Sequence, residues 1–177
     1  MALFRHGVRV TDDWTFPAEG EAFPDSGPVG LPKARLVAEW PALEARNAPL
    51  GVVIASGEKL DGLEAILPRL SLVKLVIPRY ADGRLYSIAR LLRDRHLFAG
   101  EIRASGDVLR DQVTLLARAG VDAFDVAHEG TARAIETGRI VAVSRHYQPA
   151  SNDTAEVPAA PGARPWLRRT PVPFPPA

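Results

Sequence analysis

Cysteine is absent from the 177 residues, which excludes disulfides, thiolate nucleophiles, thiolate-held zinc and cysteine-ligated iron–sulfur clusters from this chain. Any redox electrons must sit elsewhere. Charge of one sign is scarce as well. Lys and Arg number 22 against 21 Asp and Glu, a net of +1, so no broad field draws the chain to nucleic acid or to an anionic membrane. No run approaches the roughly 18 apolar residues of a membrane span, and the start, Met1-Ala2-Leu3-Phe4-Arg5-His6, lacks a basic-then-apolar signal pattern. The expectation is a cytoplasmic protein with no nucleic-acid or membrane partner. There is no Gly-x-x-x-x-Gly-Lys-Ser/Thr loop and no Gly-x-Gly-x-x-Gly turn, so nucleoside triphosphate hydrolysis and ordinary dinucleotide binding lose their usual support. The Gly-x-Ser-x-Gly elbow is missing too.

What is present suffices for one packed domain. Hydrophobic residues make up 46% and charged residues 24%, enough apolar material for an interior and too little charge excess for a disordered chain. At roughly 100 to 200 residues per domain, the length gives one core with tails. Residues 1–32 read as a small hairpin-like segment around Val8-Arg9-Val10 followed by a loop, because Pro17, Pro24, Pro28 and Pro32 fix φ and remove ladder donors. Residues 33–147 read as the core. The last segment, 148–177, holds eight of the sixteen prolines without periodicity and reads as a Pro-rich disordered tail, with Trp166-Leu167-Arg168-Arg169 as its one sticky spot.

Within the core, Leu36, Val37, Trp40 and Leu43 recur at helical spacing, with Pro41 forcing a kink or a restart. Gly51-Val52-Val53-Ile54-Ala55 is a buried-strand candidate, and Asp61 with Glu64 suits a helix start running to about Leu67. Leu72 to Ile77 is a β-branched second strand, closed by Pro78. Leu85, Ile88, Ala89, Leu92 and His96 form the stripe of an amphipathic helix from Arg84 to Leu97. Then follow a strand at Glu101–Ala104, a helix from Asp107 to Ala119, a strand at Val121–Val126, a helix at Thr131–Thr137 and a fifth strand from Arg139 to Tyr147. Strands alternating with helices through short connections predict an α/β fold: a mostly parallel sheet of about five strands in β-α-β units, as an open sheet or a partial barrel. A full eight-unit barrel takes about 250 residues. The open sheet is favoured.

Ligands of such sheets gather beyond the carboxyl ends of the strands, where helix N-termini present unpaired amides. Three turns should meet there. In the first, Asp82 is the expected N-cap, with Gly83, while Arg79, Arg84 and Ser87 surround the helix start and suit a small anionic ligand. In the second, Ser105-Gly106-Asp107 offers a tight turn in which glycine permits close approach. Asp107 and Asp111, one helical turn apart with Arg110 between them, are candidates as acid, base or magnesium ligands, although acids at that spacing are common on exposed faces and no metal site is assigned. Taken singly, each arginine, Ser105 and Asp107 is explained as well or better by helix capping and a solvated face. His6, His96, His128 and His146 form no metal-type pair, and His128, at the expected edge, is the one to consider as a base.

Taken together, Tyr80-Ala81-Asp82-Gly83-Arg84-Leu85-Tyr86-Ser87-Ile88-Ala89-Arg90-Leu91-Leu92-Arg93, Gly100-Glu101-Ile102-Arg103-Ala104-Ser105-Gly106-Asp107-Val108-Leu109-Arg110-Asp111-Gln112 and Gly120-Val121-Asp122-Ala123-Phe124 resemble the bacterial domain-of-unknown-function family 934, described as probable oxidoreductases involved in sulfite reduction. The resemblance runs from about Val8 to Ala150, including Asp12-Asp13-Trp14 and Tyr147-Gln148-Pro149-Ala150. It implies an accessory role in assimilatory sulfate and sulfite reduction, beside sulfite reductase or another sulfate-assimilation enzyme. The alternative is a small enzyme or sensor that binds an anionic sulfur metabolite at the carboxyl edge, and a third reading is an interaction module acting through the tail. Members often carry a cysteine where this chain has Ala119, so no thiol mechanism transfers through that position. A lysine–aromatic pair common in relatives stands here as Arg79-Tyr80, which keeps charge and ring. No cofactor is assigned.

Overall fold

In the computed structural model the described residues are 1–140. The expected strand Arg139–Tyr147 beyond Ile140, His146 and the segment 148–177 lie outside them. The chain opens with β1 (Ala2–Arg5) and β2 (Val8–Val10), an antiparallel hairpin whose turn takes His6 and Gly7 through positive φ. The hairpin-like start is therefore a true hairpin. Next come β3 (Val29–Pro32) and α1 (Lys33–Leu43), then β4 (Leu50–Ile54). After them lie β5 (Leu70–Ile77), α2 (Arg84–Asp94), β6 (Glu101–Gly106), α3 (Arg110–Arg118), β7 (Ala123–Val126) and α4 (Glu129–Glu136).

Among the described residues the strands join one seven-stranded sheet in the order β2-β1-β7-β6-β5-β4-β3. From β3 to β7 neighbours are parallel and follow chain order, while β1 caps the row by pairing antiparallel with β7. The sheet is open and mostly parallel, as expected, with more strands. Every crossover steps the same way, so the right-handed rule puts every helix on one face. That face carries Leu31, Val52, Ile54, Val73, Leu75, Ile102, Ala104 and Phe124. They form one apolar cluster with Leu36 of α1, Leu85 and Leu92 of α2, Val113 and Leu116 of α3, and Ile135 of α4. A doubly wound sheet would reverse direction at a switch point; this one has none among its parallel strands.

Two expectations fail for identifiable reasons. Val29–Pro32 is a strand although its prolines argue for loop: it is an edge strand, where a missing donor is tolerated. The expected helix from Asp61 to Leu67 does not form; turns lead into a single 3₁₀ turn at Leu67–Arg69. Gly62 adopts φ +83, and Glu64 folds back so that its Oε2 accepts the Gly62 amide at 2.8 Å instead of closing a capping box. Pro41, by contrast, sits inside α1 without ending it.

Candidate functional site

The turn after β5, the turn after β6 and the start of α4 are tied together at the carboxyl edge of the sheet. Gly106 takes φ +108, a conformation L side chains rarely adopt, and a Cβ there would overlap the Ile77 carbonyl. This lets the Asp107 amide donate to Ile77 O at 2.9 Å. The Asp107 carboxylate then reaches both neighbours: Oδ2 accepts the Tyr80 amide at 2.8 Å, and Oδ1 stands 2.8 Å from His128 Nε2. These contacts hold Asp107 below the usual carboxylate range, the Tyr80 N–H first and His128 second. Gln112 completes the tie by donating to Tyr80 O at 2.5 Å while accepting the Leu109 amide at 3.0 Å. Both polar groups of the Tyr80 backbone are thus held, and the residue is left 59% exposed.

Asp82 is not the N-cap residue of α2. Gly83 is, and Asp82, one residue earlier, accepts the Arg84 amide through Oδ1 at 3.3 Å. Asp82 also takes the Arg84 side chain in a two-pronged pair, Nε at 2.9 Å and Nη2 at 2.8 Å, and accepts Ser56 Oγ from the turn after β4. Arg84 and then Ser56 hold the Asp82 carboxyl far below its ordinary value. The Arg84 charge is therefore already answered by a carboxylate. Arg79, Ser87, Arg110 and Asp111 are exposed, and Arg79 and Arg110 make no ion pair among the described residues. Asp107 lies before α3, which starts at Arg110, so the expected one-turn spacing from Asp107 to Asp111 on a helix does not exist. Among the described residues no group of three or more His, Asp or Glu is placed to hold a metal ion.

Ser105 is not in the turn. It is the fifth residue of β6, on the sheet face opposite the helices, where its Oγ donates to Asp125 Oδ2 at 3.0 Å. Lys74 Nζ reaches the same oxygen at 3.1 Å. In register beside Lys74 stands Arg103, wholly buried, which binds Glu101 at 2.8 Å and Asp12 at 2.8 Å. Arg5 adds a 2.6 Å pair to Glu101. The segment from Asp12 to Phe16 crosses this face, with Lys74 Nζ 4.0 Å from the Phe16 ring centre and the Trp14 ring stacked on Phe16. Gly30 and Gly51 make room for it, since a Cβ at either would strike Phe16 or Trp14. Sequence reasoning missed this cluster. Its signal was a charged residue inside each of three consecutive apolar strands, Lys74 in β5, Arg103 in β6 and Asp125 in β7.

The family model described as bacterial protein of unknown function (DUF934) matches residues 51–157, more than half of the chain. The match starts within β4, so Asp12-Asp13-Trp14 and the hairpin fall outside it. Among curated proteins none matches.

Proposed function

Because the chain belongs to this family of bacterial proteins of unknown function (DUF934), we propose that it acts as an accessory protein of assimilatory sulfate and sulfite reduction, docking on sulfite reductase or another enzyme of the route in the cytoplasm. The observation that carries this reading is Tyr80, an exposed residue on a backbone held at both its amide and its carbonyl, with exposed Arg79 before it in the chain and exposed Arg110 opening the helix whose Gln112 holds it. Aromatic rings and arginines dominate the energy of protein interfaces, and a prepaid backbone conformation lowers the entropy lost on docking. The segments that carry the family likeness, Tyr80–Arg93 and Gly100–Gln112, each contribute a turn to this rim, the first at Tyr80 and the second at Asp107. Among the described residues no helix is long and apolar enough to cross a membrane.

The test is co-purification of the full chain with sulfite reductase, followed by titration of the complex. Tyr80→Ala keeps the main-chain groups that Asp107 and Gln112 hold, so the rim stays intact while affinity is expected to fall at least about tenfold. Deletion of the gene is expected to block growth on sulfate and on sulfite, with rescue by sulfide. Unimpaired growth on every source removes the pathway assignment.

A second reading rests on the same two arginines. Arg79 and Arg110, without ion pairs among the described residues, suit an anionic sulfur metabolite at the rim, whereas Arg84 is occupied by Asp82. Failure of sulfite, sulfate and adenylylsulfate to raise the melting temperature would remove it.

A further inference from the structure

Arg103 is the most buried charge on the open face of the sheet, and its partners leave it incompletely satisfied. Its Nε donates to Glu101 and its Nη1 to Asp12, but Nη2 is buried with no hydrogen-bond partner among the described residues. A guanidinium is built to be met by an anion with several oxygens, and a buried N–H left without one is costly. Asp12 meets it with one oxygen only. The residue is exposed, lies in an irregular stretch outside the strands, and its other oxygen accepts the Trp14 amide at 3.2 Å. Next to Asp12 is a hollow of about 400 Å³ with Arg9, Asp12, Lys74 and Asp125 on its wall, and Arg103 lies behind Asp12 rather than on that wall.

We propose that this hollow binds a small oxyanion with two or more charge-bearing oxygens, which takes the place of Asp12 on Arg103. One anion replaces another, so the buried guanidinium stays compensated, and the extra oxygens engage Nη2 as well as Nη1. Lys74, which is the register neighbour of Arg103 and lies on the hollow's wall, gives one N–H to Asp125 at 3.1 Å and has its remaining N–H groups to offer the anion. The Phe16 ring stands over both cations, 4.0 Å from Lys74 Nζ and 5.9 Å from the Arg103 guanidinium carbon. Carboxylates, phosphate and sulfur oxyanions share the required chemistry. This site is separate from the rim and stands whether or not the chain docks on a reductase.

The test is calorimetric titration of the full chain with sulfite, sulfate, phosphate and citrate, each at constant ionic strength made up with chloride. At least one is expected to bind one-to-one, and the arm that binds tightest names the chemical source. Lys74→Gln is expected to weaken that binding about tenfold, and Asp12→Asn, which removes the resident competitor's charge from an exposed position, to tighten it about threefold or more. Circular dichroism and a cooperative melt establish that both variants are folded. No one-to-one binding by any of the four anions overturns the proposal. So does binding that neither substitution alters, or binding that Arg79→Gln abolishes while Lys74→Gln leaves it intact, which places the anion at the rim.

Discussion

With one oxygen on the Tyr80 amide and the other on the His128 ring, Asp107 is held below the ordinary carboxylate value of 3.8. A carboxyl whose folded value lies below its unfolded one favours the fold while it is charged, so its contribution is present above about 3.8 and is lost as the pH falls through the folded value. Asp82, held down by Arg84 and Ser56, pulls in the same direction. The midpoint of denaturant unfolding is therefore expected to drop as the pH falls from about 5 towards 2, and Asp107→Asn to flatten that slope in a pH series. Single residues also show what could be read in advance. Gly106 and Asp107 were legible as a strand-to-helix turn because glycine followed by an aspartate leaves few alternatives. Ser105 was not, because its role depends on whether the strand stops before or after it, and one residue of register moves a side chain to the opposite face.

At the scale of elements, the helix α2 was legible from its apolar stripe, and Leu85, Ala89 and Leu92 are its buried residues. Its end is held by something no stripe reveals. Arg93 donates to the carbonyls of Phe98, Gly100 and Gly120 and pairs with Asp122, joining the close of α2 to the starts of β6 and β7. Asp122 also accepts the Ile102 amide at 2.8 Å, yet burial pushes its carboxyl above the ordinary value in spite of both contacts. Arg93→Met keeps much of the apolar stem but removes its donors from the three carbonyls and leaves the half-buried Asp122 carboxylate with the Ile102 amide and no cation. The expected cost is about 2–4 kcal/mol, measured by chemical denaturation. The element that sequence reasoning placed wrongly, the helix from Asp61, failed because Gly62 takes a positive φ and the Glu64 carboxylate closes a turn on its amide instead of reaching back to an N-cap. The strand β3 was hidden by its prolines, whose meaning changes at an edge.

For the molecule as a whole, alternation of strands and helices was enough to foresee a parallel open sheet, since short connections leave little else. The seal made by the N-terminal hairpin was out of reach. It joins residues at opposite ends of the described chain, Leu3 opposite Asp125 and Phe4 opposite Phe124, and nothing local records that pairing. Phe4 is wholly buried in the common core, and all four residues of β7 are buried beside it. Deleting residues 1–10 is expected to lower the melting temperature and to expose β7 as an unpaired apolar edge. Size-exclusion chromatography should then show association that grows with concentration. The same pairing has a consequence during translation. Each strand from β4 to β7 finds its predecessor already made and waiting beside it, so this row can zip up as it emerges. The strand β1 has no such neighbour in the row and must linger, with Leu3 and Phe4 uncovered, until its partner Ala123–Val126 has been added. The newborn chain is therefore most vulnerable at this hairpin, whose partner is made last among the strands of the row.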